Sequence, residues 1–153
     1  MKLISHRGNM DGQMPSKENR PSYIDSTMQL GIDVEVDLRF IDGDFYLGHD
    51  NPDYKVTIKW MELRKDQLWF HCKNIEAVLE LLKQKDFKYF CHTSDNYVLT
   101  STNHIWVHDL DGTIDENCII PLLDKSDIVR YDGAKPYAVC TDYINVYKKL
   151  NGA

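Results

Sequence analysis

The sequence predicts an α/β fold with parallel strands, arranged as one domain over residues 1–153. Three observations lead there. Strand-like apolar runs alternate with helix-like ones along the chain. The 153 residues are 42% hydrophobic and 27% charged, a balance ordinary for a globular unit that buries a core. No internal repeat or low-complexity linker divides them.

Residues 2–5 read as the first strand. Residues 21–30 read as a helix, because Pro21 suits a first helical turn and Gly31 suits the position just past the end. Residues 33–40 alternate with period two, and 45–47 form a short strand after the turn Asp42-Gly43-Asp44. A strand at 68–72 precedes the clearest amphipathic helix, 75–85, with Ile75, Val78, Leu79 and Leu82 on one stripe. Further strands are expected at 88–91, 105–107, 118–123 and 138–140. The links between these have room for helices only around 97–102 and 142–150.

A net charge of -6 excludes a broad nucleic-acid surface, which needs clustered Lys and Arg. No apolar run approaches the roughly 18 residues that span a bilayer, so no integral membrane association is expected. The first residues pass straight into polar sequence without the apolar stretch of a signal peptide. Cys72, Cys91, Cys118 and Cys140 are widely spaced beside apolar runs and read as free buried thiols. These features set the expectation of a cytoplasmic protein.

Chemistry concentrates in the first third of the chain. Asp33, Glu35, Asp37 and Arg39 share one strand face, and Ile32, Val34, Val36, Leu38 and Phe40 the other. Carboxylates two residues apart, Glu35 and Asp37, can converge on one divalent ion. The same alternation also fits an antiparallel strand with its polar face in water. His6-Arg7-Gly8 follows the first strand, and Gly48-His49-Asp50 ends a later one. Imidazoles titrate near pH 6.5, so His6 and His49 can act as proton acceptor and donor. His71, His92 and His108 also fall near predicted strand C-termini, whereas His104 sits at a strand start. Trp106 shares a face with His104 and His108 and reads as a core residue, with lining of the substrate pocket as the alternative.

Taken in order, His6-Arg7-Gly8, Glu18-Asn19, Glu35-Val36-Asp37 and Gly48-His49-Asp50 resemble the N-terminal pattern of the glycerophosphodiester phosphodiesterase family: H-R-G, E-N-T, E-x-D, H-D. Arg20 stands where that family has Thr. Residues 138–143 resemble the family's closing strand and its Thr-Asp-Tyr-Pro turn, with Ile144 replacing the Pro. The match is strong over the first third and fragmentary beyond it. It implies a (β/α) barrel. A full barrel takes about 200 residues or more, so the expected form is a reduced TIM-barrel-like barrel with several outer helices shortened or missing, mainly in the second half. Strands without covering helices leave apolar faces open, and a homodimer is the simplest cover.

The resemblance also implies roles. His6 and His49 become the catalytic pair, either one suited to either proton transfer. Arg7 and Lys73 become the phosphate-binding cations. Glu35, Asp37 and Glu18 become metal ligands. The family's third strand ends E-x-K; here Lys73 is kept and His71 stands where the Glu would be. Either His71 ligates, moving the site's preference from Mg2+ or Ca2+ toward Mn2+ or Zn2+, or the metal is lost. The expected function is metal-dependent hydrolysis of a small glycerophosphodiester-like molecule. The alternative is a degenerate, non-catalytic barrel that binds a phosphorylated ligand or a partner protein.

Overall fold

Ten strands and five helices alternate along the chain in a computed structural model that describes residues 1–131 and 135–152. The strands are β1 (Lys2–His6), β2 (Asp33–Ile41), β3 (Asp44–Leu47), β4 (Tyr54–Val56), β5 (Leu68–Cys72), β6 (Lys88–Phe90), β7 (Tyr97–Leu99), β8 (Ile105–Val107), β9 (Cys118–Pro121) and β10 (Ala138–Thr141). The helices are α1 (Pro21–Met28), α2 (Ile58–Glu62), α3 (Ile75–Leu82), α4 (Lys125–Arg130) and α5 (Ile144–Asn151). The run β6-β5-β2-β1-β10-β9-β8 is parallel throughout. This curled sheet is a reduced TIM-barrel-like (β/α) fold.

Where a complete barrel would carry another strand–helix unit, the chain makes an antiparallel β7–β8 hairpin. Ser101 ties its loop back to β6: its N–H donates to Tyr89 O at 2.9 Å and its hydroxyl to Phe87 O at 2.9 Å. The helix expected around 97–102 is therefore a strand and a turn. Tyr97 and Leu99 alternate with Val98 on an edge, and a three-residue strand satisfies their backbone where one turn of helix would leave most of its groups unpaired.

The register explains the period-two pattern of β2. Val34, Val36 and Leu38 point outward into a core shared with α1, α2 and α3, while Asp33, Glu35 and Asp37 point into the lumen and are buried. An open strand with a wetted polar face is thereby excluded. The lumen is filled by Ile4, Trp69, Phe90, Trp106 and Ile119, whereas α4 and α5 cover a separate core over β9 and β10. Beyond Asp37, β2 continues into a hairpin with β3, which runs antiparallel to it. At the N-terminal end of the lumen, Asp33 takes hydrogen bonds from Trp69 Nε1 (3.1 Å), Lys2 Nζ (3.3 Å) and Lys88 Nζ (3.4 Å), which closes that end with paired charge.

Helix α3 differs from its expected orientation. Ala77 and Leu81, with Val78, face the sheet, and Ile75, Leu79 and Leu82 are exposed. The helix is apolar on both sides, so periodicity alone did not select the buried one. The link after β6 carries no helix, which leaves the outer flank of α3 without a neighbour. Short helices α2 and α4 were not expected; α2 is started by Thr57, whose hydroxyl accepts from Trp60 N–H. Cys72, Cys118 and Cys140 are buried free thiols as anticipated, but Cys91, one residue past β6, is exposed. None of the helices among the described residues is long and apolar enough to cross a membrane.

Candidate active site

The C-terminal ends of the parallel strands gather most of the residues singled out above. Lumen-facing positions at these ends are His6 on β1, Glu35 and Asp37 on β2, and His71 on β5. They line or border a cavity of about 170 Å³ together with Arg7, Phe90, Trp106 and His108.

The loop after β1 is the frame. Arg7 has φ +57° and Asn19 +62°, left-handed conformations that side chains other than Gly resist. Gly8 follows with φ +95°, and a Cβ there would lie 2.8 Å from the Tyr23 ring. Several contacts hold these turns. Arg7 N–H donates to Glu35 O at 2.8 Å, and Asn19 N–H donates to Arg7 O at 3.1 Å. The Asn19 side chain bridges Asp37, donating to Oδ2 and accepting from its backbone N–H, both at 2.9 Å. The Arg7 guanidinium lies between two acids, with Nε 2.9 Å from Asp37 Oδ2 and Nη1 3.1 Å from Glu18 Oε2. The Nε contact is close but off-axis, so it is a charge contact rather than an aligned hydrogen bond.

Glu35, Asp37 and His71 each offer one ligand atom, all within 4.8 Å of one another. His71 Nδ1 is 3.6 Å from Glu35 Oε1 and 3.7 Å from Asp37 Oδ1. His71 Nε2 is 3.2 Å from the His92 carbonyl, which can only accept, so the ring proton belongs on Nε2. The bare Nδ1 lone pair then faces two carboxylates. That arrangement is repulsive unless positive charge stands among them, either a bound cation or a second ring proton on Nδ1. Glu35 Oε2 and Asp37 Oδ1 are also buried with no hydrogen-bond partner. The donor set fits a divalent ion: bonds of about 2.1 Å put neighbouring ligands roughly 3 to 3.5 Å apart, slightly inside the observed spacing. Burial pushes the Glu35 carboxyl up, but His71, His6 and Arg7 outweigh it and hold the pKa at about 2.

His6 is held from the other side. Its Nδ1 lies 2.8 Å from Asp142 Oδ1, which leaves Nε2 free, 3.8 Å from Glu35 Oε2. Asn9 donates to the same Asp142 oxygen at 2.7 Å and to Glu18 Oε1 at 2.9 Å. Burial lowers the His6 pKa, but the Asp142 hydrogen bond and the Glu35 charge overcome it and raise it above 6.5. Burial raises the Asp142 carboxyl, and the hydrogen bond and charge of His6 bring it below 3.8.

These shifts fix a pH window. Folding strengthens proton binding at His6, so that contribution is complete below pH 6.5 and is lost as pH rises through the raised pKa. Folding weakens proton binding at Asp142, so that part is complete above pH 3.8 and is lost as pH falls through the lowered pKa. The pair stabilises the metal-free protein most between these values. Asp142→Asn is expected to flatten the pH dependence of its thermal midpoint across both edges.

The remaining expected residues lie around this centre. Glu18 reaches it through Arg7 and Asn9. His49 sits on the turn after β3, and that turn is tied to the ligand strand by Gly48 N–H donating to Asp37 O at 3.0 Å. Only Gly fits there: φ is +151°, and a Cβ would stand 1.8 Å from Asn51 O. The His49 ring is 42% exposed, bonded through Nδ1 to Asp50 at 2.8 Å, and is not part of the cavity lining. Lys73 donates its backbone N–H to Leu38 O at 2.8 Å and makes no ion pair among the described residues. Asp142, Asn9 and His108 were given no role by the sequence. Asp142 had a usable signal, an acid at the end of the last strand, which in a closed ring lies beside the first. Asn9 had none.

No protein-family model matches the chain, and no curated protein matches its sequence. Among solved structures, a glycerophosphodiester phosphodiesterase from Agrobacterium tumefaciens str. C58 is similar at 13% identity, with 100% of each chain covered and a TM-score of 0.61. At that identity the likeness establishes the fold.

Proposed function

We propose that the protein is a divalent-metal-dependent phosphodiester hydrolase acting on a small glycerophosphodiester-like molecule. One observation carries this reading. An imidazole lone pair and two unpartnered carboxylate oxygens converge at the mouth of the fold, beside an arginine and a second imidazole. Glu35, Asp37 and His71 would hold the ion, with Glu18 behind them through Arg7. When bound, such an ion neutralises phosphate oxygens and lowers the pKa of an attacking hydroxyl or water. Mg2+ or Ca2+ suits the carboxylates, and the imidazole extends the range to Mn2+ and Zn2+.

Arg7 binds the phosphate with directional N–H groups, exchanging part of its contact with Glu18 for the incoming anion. Lys73 adds positive charge from the end of β5. His6, oriented by Asp142, presents Nε2 to the cavity and transfers one proton. His49 transfers the other from the turn after β3, which Gly48 N–H ties to Asp37 O. Attack by a neighbouring substrate hydroxyl, as the family resemblance implies, would pass through a cyclic phosphate.

The test is release of alcohol from glycerophosphodiesters with Mg2+, Ca2+, Mn2+ or Zn2+ supplied in turn. His6→Ala is expected to lower kcat by about two orders of magnitude, the size of a lost acid–base contribution. Absence of turnover with every ion would leave the second reading, a non-catalytic barrel binding a phosphorylated ligand, which the exposed position of His49 favours. A cytoplasmic setting and a soluble substrate belong to the same proposal. So does a second copy covering Ile75, Leu79 and Leu82 on α3. Sedimentation as a monomer at micromolar concentration would remove the dimer.

A further inference from the structure

Asn9 is fully buried in the loop after β1, and both ends of its side-chain amide are engaged. Its Oδ1 shapes the loop, accepting from Met14 N–H at 3.2 Å and from the Tyr23 hydroxyl at 3.4 Å. Its Nδ2 reaches the site. That one nitrogen donates to Asp142 Oδ1 at 2.7 Å and to Glu18 Oε1 at 2.9 Å, carboxylates that lie far apart in the chain. Asp142 Oδ1 also holds His6 Nδ1 at 2.8 Å, and Glu18 Oε2 holds Arg7 Nη1 at 3.1 Å. His6 and Arg7 are consecutive, and strand alternation would send their side chains to opposite faces. The left-handed turn at Arg7, φ +57°, breaks that alternation, and both side chains line the cavity.

We propose that Asn9 is a positioning residue whose amide seats the proton-transfer imidazole of His6 and the phosphate-binding guanidinium of Arg7 as one unit. The inference rests on the phosphodiesterase reading above. Two carboxylates brought to one point disfavour each other's charge, and a neutral group with two N–H bonds on one atom joins them without adding charge. Among side chains only the amides of Asn and Gln offer that, and Gln would carry the nitrogen one carbon farther from the loop. A hydroxyl gives a single donor and leaves one acid loose. A lysine gives the donors together with a charge that competes with Arg7 for phosphate. Hydrogen bonds to ionised acceptors are the strong, directional kind. The frame is therefore set before substrate arrives, and His6 and Arg7 lose little freedom when a phosphate enters.

The experiment separates the two ends of the amide. Asn9→Asp is nearly isosteric and keeps an acceptor for Met14 and Tyr23, but it sets a third carboxylate against Asp142 and Glu18. It is expected to lower kcat for a glycerophosphodiester and the affinity of the Mg2+-loaded protein for inorganic phosphate, each by about tenfold, the worth of one hydrogen bond to a charged acceptor. The deciding variant is Asn9→Asp combined with Glu18→Gln, which carries the native charge. The Gln amide donates to the new carboxylate and its carbonyl accepts from Arg7, so phosphate affinity should return toward the native value. The value of kcat should stay low, because the new carboxylate still faces Asp142. Recovery of both properties would assign the effect to net charge, and recovery of neither to loop structure; each result overturns the proposal, as does Asn9→Asp with both properties unchanged. If Asn9→Asp alone fails to fold, the double variant is compared with wild type directly, and native affinity with lowered kcat supports the proposal. Turnover in the wild type without the split removes this inference alone. Phosphate binding without any turnover removes the enzyme reading, and the fall and return of phosphate affinity then decide the inference. A wild type that neither binds phosphate nor turns over removes both.

Discussion

Glu35→Gln is expected to abolish metal-induced thermal stabilisation and to lower kcat at least about a thousandfold, with the chain still folded. The substitution keeps shape and volume and removes only the charge. Glu35 is where the cost concentrates because both oxygens are committed to the centre: Oε1 faces His71 at 3.6 Å, and Oε2 is buried without a hydrogen-bond partner. A Gln amide there would turn its N–H2 toward the ion, which it cannot ligate, or toward the His71 lone pair, where it would donate a hydrogen bond and occupy the nitrogen meant for the ion. A bound ion supplies several kcal/mol of transition-state stabilisation, and each 1.36 kcal/mol is tenfold in rate; a thousandfold loss is about three such steps. The Glu35 pKa of about 2 adds a condition. The carboxylate stays ionised well below neutral pH, so protonation of Glu35 does not set the acidic limb of activity in the usual assay range. Isothermal titration with Mn2+ or Zn2+, beside a far-UV spectrum, checks both halves. A variant that still gains stability from the ion would place the metal elsewhere.

How much of this was legible in the chain follows from which interactions are local. The alternation of β2 was readable because inward and outward residues differ at every step from Asp33 to Phe40, and a slip of one would bury Asp33, Glu35 and Asp37 against helices. The end of α1 was readable from Gly31, which has φ +75° in the structure. Helix α3 was found and misoriented, since Ile75 and Leu79 are as apolar as Ala77 and Leu81; what decides is the absence of a neighbour, which is a property of another segment. The hairpin of β7 and β8 escaped notice for a similar reason. Three-residue strands carry almost no periodicity, and what holds this one in place is pairing with residues 105–107 and the Ser101 bonds to β6.

The site divides the same way. Glu35, Asp37, His6 and Arg7 sit at ends of well-marked strands and could be placed by motif and spacing. Asp142 acts on His6 from 136 residues away in sequence, a distance closed only when β10 pairs with β1. His71 was the open question, and what favours ligation is a backbone carbonyl, His92 O, that fixes the tautomer. No side-chain pattern announces a backbone acceptor. That is why a departure from the family's pattern at this position could not be weighed from residue identity alone, and why a neutral ligand with a fixed lone pair remains compatible with a metal centre.

Asp37→Ala is expected to cost about 3 kcal/mol of folding stability, the lower end of the 3–5 kcal/mol for breaking a buried ion pair, in addition to the loss of metal binding. The lower end applies because Arg7 keeps Glu18 at 3.1 Å and retains 18% side-chain exposure. Asp37 is a different kind of ligand from Glu35. One oxygen, Oδ1, is free for an ion, while Oδ2 accepts from Asn19 and faces Arg7 at 2.9 Å each. Those two partners are the residues held at positive φ. Removing the carboxylate therefore releases the strained turns of the β1 loop as well as an arginine charge, and His6 and Gly8 move with them. Urea unfolding of the metal-free protein measures this, with an unchanged slope indicating that the loss is in the native state. Asp37→Asn keeps the Asn19 contact in part and should lose less, while binding metal no better. A loss below about 1 kcal/mol for the alanine variant, within the range of ordinary surface substitutions and single hydrogen bonds, would mean that the loop is shaped without Asp37. Ligation and loop geometry would then be separable functions of that strand end. With the larger loss, the same carboxylate that binds the ion also sets the backbone that positions Arg7 for phosphate, so no substitution at this residue can test one without disturbing the other.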